Sequence, residues 1–309
     1  MNDIKRKLYS AIETDKEELY NLLSSLVKIN SENFGSCGNE EECSEFIGEY
    51  FKKMGFECDV YSPLEIKDIE NHPDYLPGRG LENRKNASVV VGGENSSKNL
   101  MFAAHVDTVK IGELSEWEFP PLSGEIKNGN IYGRGACDDK YGIAIMMFLI
   151  KKIKELDIKL DYNLIFSAFC DEEYGGSNGA LAACLKYPCD DCLVLDCREY
   201  ELWDSGCGGG EFRFSVSSRE SVDNCTNVLT GINLLLDKLK LFEQRRKNEL
   251  ESIPSFTGSV VAARPMRVMN VSVGQKGGVN MDMENLLSPY IQVKLNQKSI
   301  QKSMRFYCL

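Results

Sequence analysis

Four short runs of almost uninterrupted apolar residues constrain this chain more than any other feature. They are Ala87-Ser88-Val89-Val90-Val91, Leu100-Met101-Phe102-Ala103-Ala104, Leu164-Ile165-Phe166-Ser167-Ala168-Phe169 and Leu193-Val194-Leu195. A strand with one wet face alternates apolar and polar residues, whereas a strand apolar throughout must be covered on both faces. Between the second and third runs lies Tyr141 to Leu156, a helical segment apolar on most of its surface. Upstream, Leu8, Ile12, Leu19, Leu22, Leu23 and Leu26 recur at near-helical spacing, and a second amphipathic segment centres on Phe46, Tyr50 and Phe51. Buried strands alternating with helices predict an α/β fold whose mostly parallel sheet is flanked by helices.

The pattern changes after about residue 204. Gly206-Cys207-Gly208-Gly209-Gly210 punctuates the chain, and Glu211 to Val216 then alternates like a half-wet strand. A helix carrying Val228, Ile232, Leu235, Leu236 and Leu239 follows, then an alternating strand from Met266 to Val273, the turn Gly277-Gly278, and a strand near Tyr290 to Val293. A chain of 309 residues also exceeds the ~250 at which single cores stop growing. Two domains are therefore expected, residues 1–204 and a smaller α+β domain of residues 205–309.

A net charge of −11 disfavours nucleic acid and anionic membranes, whose recognition depends on clustered Lys and Arg. The N-terminus opens an amphipathic helix rather than an apolar signal core, and no stretch approaches the ~18 apolar residues of a membrane span, so a cytoplasmic protein is expected. Twelve scattered cysteines fit free thiols in a reducing compartment. Cys184, Cys189, Cys192 and Cys197 could be drawn as a zinc knot, but Cys184 falls on a helical pattern and Cys197 follows a buried-looking strand, which favours free thiols.

Chemistry-bearing residues gather where the strands end. His105-Val106-Asp107 directly follows the second run, and residues at the carboxyl end of such a strand face the usual ligand crevice. Alternation puts His105 and Asp107 on one side, where the carboxylate could orient the ring. Gly133-Arg134-Gly135-Ala136-Cys137-Asp138-Asp139-Lys140 sets two acids ahead of the apolar helix; either acid could instead be a helix cap. Asp171-Glu172-Glu173 follows the third run, and three successive acids repel one another unless a cation or solvent offsets them. Asp196 ends the fourth. The common placement of these acids points to a cation site rather than to unrelated solvated loops.

In order, spacing and context these motifs, with Gly175-Gly176, resemble those of the co-catalytic zinc family that includes acetylornithine deacetylase, succinyl-diaminopimelate desuccinylase, aminoacylase, glutamate carboxypeptidase and cytosolic dipeptidases. The resemblance covers essentially the whole chain, with the Gly-rich entry at 206–210, Gly231-Ile232-Asn233 and Gly277-Gly278 resembling the family's lid and dimerisation domain. It implies that His105 and Asp196 hold one metal ion, that Glu173 helps hold a second, and that Asp138 bridges the two. Asp107 would orient His105, and Glu172 would be the general base. The implied cofactor is Zn2+, one or two per chain, with Co2+ or Mn2+ as alternatives. The implied reaction is hydrolysis of the amide bond of N-acyl amino acids or short peptides, and the implied partner is a second copy through residues 205–309.

The chain also departs from that pattern. It has two histidines, His72 and His105, where the family pattern calls for two more near the site, one late in the sequence and one in the lid. The lid position falls near Ser221-Val222, and Lys294, Asn296 and Lys298 stand where a substrate-gripping arginine is expected. His72 precedes a proline and reads as a loop residue. The sequence stops shortly after the lid's last strand, so an incomplete catalytic domain is expected, with poor dimerisation and an exposed sheet edge. A non-catalytic family member that keeps the fold and at most one metal is the alternative.

Overall fold

The computed structural model describes residues 3–92, 96–175, 178–196, 205–206, 210–216, 228–254, 257, 266–273, 279–285 and 291–292. They fall into two compact units, one holding the described residues up to 196 and one those from 205 onward.

The first unit opens with helices α1 (Asp3–Val27) and α2 (Glu41–Lys53), followed by strands β1 (Cys58–Tyr61), β2 (Asn86–Val91) and β3 (Asn99–His105). A small hairpin, β4 (Glu125–Lys127) and β5 (Asn130–Tyr132), precedes α3 (Lys140–Glu155), β6 (Asn163–Phe169), α4 (Asn178–Lys186) and β7 (Asp191–Val194). The five-stranded sheet has the order β1-β2-β6-β3-β7. The β3–β6 and β3–β7 pairings are parallel, and β2 runs against both β1 and β6, so four strands point one way and β2 alone is reversed.

Successive side chains of a strand point to opposite faces, which explains the apolar runs. Leu164, Phe166 and Ala168 of β6 and Ala104 of β3 join a core with Leu26, Ile47, Phe51, Ile143 and Met147 from the first three helices. Ile165, Phe169, Met101 and Ala103 point the other way and pack with Ala180 of α4. The polar interruptions pair with each other: the Ser88 and Ser167 hydroxyls on neighbouring strands lie 2.9 Å apart. The hydrophobic runs thus mark elements with little error, whereas β1 and the β4–β5 hairpin, too short to carry a period, are additions from the structure.

In the second unit, β8 (Ser205–Gly206) and β9 (Gly210–Val216) precede α5 (Val228–Glu251), β10 (Met266–Val273), β11 (Val279–Asn285) and β12 (Ile291–Gln292). An antiparallel sheet has the order β10-β11-β9, and β12 pairs with β8. Phe214 of β9 packs against Leu235, Leu236 and Leu239 of α5, one face of the predicted helix. Strand β11 was not among the sequence expectations, although Val279-Asn280-Met281-Asp282-Met283 does alternate. Among the described residues, no helix is long and apolar enough to cross a membrane.

Candidate metal centre

Because β3, β6 and β7 are parallel, their carboxyl ends share one edge of the sheet, and the residues just past them converge there. His105 is the last residue of β3, paired with Phe169 at the end of β6. The ladder continues one step further on each side, through Val106 N–H to the Phe169 carbonyl (2.8 Å) and Leu195 N–H to the Ala103 carbonyl (2.8 Å). That continuation carries Asp171 to Glu173 and Asp196 to the same edge as His105. Asp138 arrives from the turn before α3, a turn that Gly135 permits: its φ is +84°, and a Cβ there would lie 2.8 Å from the Thr108 methyl and 3.0 Å from the Lys140 side chain.

The His105 ring is fully buried, and its two nitrogens meet different surroundings. Nδ1 lies 2.9 Å from the backbone carbonyl oxygen of Asp107. A carbonyl oxygen only accepts, so Nδ1 carries the proton and Nε2 is left to face a cation. Around Nε2 stand Asp138 Oδ1 at 2.9 Å, Glu172 Oε2 at 3.9 Å and Asp196 Oδ2 at 3.9 Å. Donor atoms of His105, Asp138 and Glu173 all lie within 4.8 Å of one another, the one such group among the described residues. Glu173 Oε1 also accepts the Val109 N–H at 3.1 Å.

Asp107 is buried and tied on several sides. Its carboxylate accepts the backbone N–H groups of Glu172 (2.9 and 3.0 Å) and Glu173 (2.9 Å) and the Asn33 side-chain amide (2.7 Å). Burial alone would push its pKa up, but the hydrogen bond and charge of His105, with these donors, bring it down to about 2. For His105 the balance is the mirror image: burial favours the neutral ring, and the Asp107 and Asp138 contacts outweigh it and raise its pKa. Asp139, the residue before α3, does not cap that helix. Its buried carboxylate instead accepts the His105 backbone N–H at 3.2 Å.

The donor set fits a divalent cation. One imidazole nitrogen is presented by a fixed tautomer, and carboxylates approach it from three other residues, the mixed nitrogen and oxygen set that zinc takes. Without a cation, three acids of this cluster, Glu172, Glu173 and Asp139, hold their protons more tightly than free carboxyls do. Burial first, then neighbouring acids, raises Glu172 to about 8, Glu173 to about 7 and Asp139 to about 8. Groups that ionise reluctantly beside one another are what a buried cation relieves.

Each residue predicted for the site reaches this edge of the sheet: His105, Asp107, Asp138, Glu172, Glu173 and Asp196. His72 does not join the donor group; it lies in a loop, where its Nδ1 accepts the Asp74 N–H at 3.2 Å. Cys184, Cys189 and Cys192 are in no disulfide and form no metal-binding group among the described residues, with Cys189 hydrogen-bonded to Cys192, and Cys197 lies outside the described residues. Ser221-Val222, Gly277-Gly278, Lys294, Asn296 and Lys298 also lie outside them. Sequence reasoning missed Asn33, Arg79 and Arg84, which line the inner side of the site. Asn33-Phe34-Gly35 signals a turn at most: Asn33 Oδ1 accepts the Gly35 N–H at 2.8 Å, a local Asx turn.

The family model for peptidase family M20/M25/M40 matches residues 101–290, more than half of the chain. An N-formyl-4-amino-5-aminomethyl-2-methylpyrimidine deformylase from Halalkalibacterium halodurans is 28% identical over 203 residues, 65% of this chain and 43% of that protein. A succinyl-diaminopimelate desuccinylase from Wolbachia pipientis is 32% identical over 169 residues, 52% of this chain and 35% of that protein. The matched stretch is thus less than half the length of these curated relatives. Human carnosine dipeptidase 1 shares the fold with a TM-score of 0.62 at 14% identity, over 93% of this chain and 73% of that one.

Proposed function

From the premise that the chain belongs to peptidase family M20/M25/M40, we propose that it is a metal-dependent hydrolase of the amide bond in N-acyl amino acids or short peptides. The observation that carries this reading is the His105 ring, with Nδ1 fixed as a donor and Nε2 facing Asp138, Glu172 and Asp196 at 2.9–3.9 Å. The names of two relatives, a deformylase and a desuccinylase, support removal of an acyl group from nitrogen.

His105, Asp138 and Asp196 would hold one zinc ion, and Glu173 with Asp138 a second. Such ions supply Lewis acidity, polarising the scissile carbonyl and lowering the pKa of a water from 15.7 toward ~7. Glu172 is the general base in this reading: its carboxylate takes the proton of the attacking water and delivers it to the leaving amine nitrogen. Its backbone N–H is tied to Asp107 and its carboxylate stands 3.9 Å from His105 Nε2, which sets it beside the donor group; in this reading it stays off the metal to move a proton. Asp107 keeps the ring in the tautomer that presents Nε2. Residues 1–204 form the catalytic domain in this proposal, and residues 205–309 the lid through which two copies would pair.

The test is metal content after dialysis, together with hydrolysis assays on N-acetyl and N-succinyl amino acids and on dipeptides. About two zinc ions per chain with turnover supports the proposal. One observation favours a second reading, a non-catalytic member holding at most one metal: with His72 engaged in its own loop, His105 is the single histidine available to two cations. One ion or none, without turnover, would establish that reading instead.

A further inference from the structure

On the inner side of the site, away from the carboxylates, lies a buried hydrogen-bonded chain that the proposed reaction leaves without a task. Residues 31 to 33 run beside the segment that follows β3: Thr108 N–H donates to the Ser31 carbonyl (3.0 Å) and Asn33 N–H to the Thr108 carbonyl (2.8 Å). This pairing brings the Asn33 side chain against Asp107, where Nδ2 donates to Oδ2 at 2.7 Å. On its other side Asn33 Oδ1 accepts from Arg84 Nη2 at 2.8 Å and from Gly35 N–H at 2.8 Å. Asn33 and Arg84 are both fully buried.

These partners fix which way the amide points. A guanidinium and a backbone N–H can only donate, so the atom facing them is the oxygen and the NH2 group must face Asp107. Turning the amide over would set its oxygen against the Asp107 carboxylate and its NH2 against two donors. Arg84 is held in turn by Asp171 and the Cys37 carbonyl through short contacts and by Glu40 at 3.4 Å. Arg79 secures Asp171 with two further bonds of 2.6 and 2.9 Å.

We infer that Asn33, locked in one orientation by Arg84, is a positioning residue for the His105 centre and acts through Asp107. The inference rests on the proposed metal site for its consequence but not for its geometry. Asp107 is the hub: it faces the His105 ring, and it also accepts the backbone amides of Glu172 and Glu173. Apart from the His105 ring itself, Asn33 provides the one side-chain donor to Asp107 among the described residues, so a tilt of Asp107 would shift the ring and the segment carrying Glu172 and Glu173 together. Outer-shell partners of this kind typically govern metal affinity ten- to a hundred-fold.

Because the chain has two histidines, the His105 ring can be followed by nitrogen–proton NMR, with a His72→Gln variant assigning the signals. In the metal-free parent the His105 Nδ1 proton should be protected from exchange. In Asn33→Asp, which keeps the shape but faces one carboxylate with another, that resonance should shift or disappear, as it should in Arg84→Lys. The dissociation constant for Zn2+, added as the chloride and followed by calorimetry, should weaken by about 10- to 100-fold in both. Unchanged His105 signals and zinc affinity in a folded Asn33→Asp protein would overturn the inference. Should Asn33→Asp fail to fold, Asn33→Ala decides: it removes the donor to Asp107 without adding charge, and the His105 resonance should shift and zinc affinity fall. Parent-like His105 signals and zinc affinity in a folded Asn33→Ala protein would reject the positioning role. A parent that binds no zinc, yet whose His105 signals respond to Asn33→Asp, would refute the proposed hydrolase while sustaining this inference.

Discussion

The two sides of the His105 ring are built on opposite principles. On the Nδ1 side, Asp107, Asn33, Arg84 and Asp171 are wholly buried and joined by directed hydrogen bonds. On the Nε2 side, Asp138, Glu172, Glu173 and Asp196 bring four acids together, and the Asp138 side chain is 55% exposed. One side is a fixed hydrogen-bonded frame, and the other gathers acids whose charge a cation would neutralise. Breaking the inner side should therefore cost stability, and breaking the outer side should cost metal and turnover.

The largest effect is expected from Asp171→Ala. Asp171 receives both Arg79 and Arg84, and its removal leaves the nearly buried Arg79 without its carboxylate and the fully buried Arg84 with Glu40 alone, at 3.4 Å. Removing one partner of a buried ion pair costs about 3–5 kcal/mol. Urea unfolding of the metal-free proteins measures this, and a loss under ~1 kcal/mol would mean that the inner side is not the scaffold described here.

Next comes His105→Ala, which removes the group shared by both sides. It should lower zinc affinity more than the ~100-fold that bounds an outer-shell partner. A His105→Ala protein that retains as much metal as the parent after dialysis would remove His105 from the centre altogether. Glu172→Gln acts on the outer side alone: metal content should stay at the parent's level while kcat falls on the order of 10²-fold. Parent-like turnover would assign the base to another residue.

The asymmetry also explains what the sequence made legible. Apolar runs long enough to show a period located β2, β3, β6 and α3, and the acids at their ends were conspicuous because three in a row at a strand terminus are costly. The outer side of the site could thus be anticipated. The inner side could not, because Asn33, Arg84 and Asp171 are distant in sequence and meet only through the fold. Each also has an unremarkable local reading: Asn33 as a turn residue, Arg84 as a surface cation before a strand, and Asp171 as the first of an acidic trio. Asp139 misled in another way, since its position before α3 suggests a cap, whereas tertiary packing turns its carboxylate to the His105 N–H.

The smallest effect separates the two sides by pH. Burial raises Glu172 and Asp139 to about 8 and Glu173 to about 7 on the outer side, and Glu40 to about 8 beside Arg84 on the inner side. A carboxyl with a raised folded pKa holds a proton that the unfolded chain has already released above ~4.5, so its contribution is complete below that pH and is lost as pH rises through the folded value. His105, also raised, works in the same direction, whereas Asp107, lowered to about 2, costs stability only as the pH falls below ~4. The metal-free chain should therefore lose stability between about pH 5 and pH 8, each group contributing a slope of at most ~1.4 kcal/mol per pH unit. Zinc favours the ionised outer carboxylates and should flatten that part of the slope, leaving the Glu40 part, which Glu40→Gln should remove. Urea midpoints across this range, with and without zinc, give both components. A metal-free parent that gains stability toward pH 8 would show that the outer carboxylates are already satisfied within the chain and have no call on a cation.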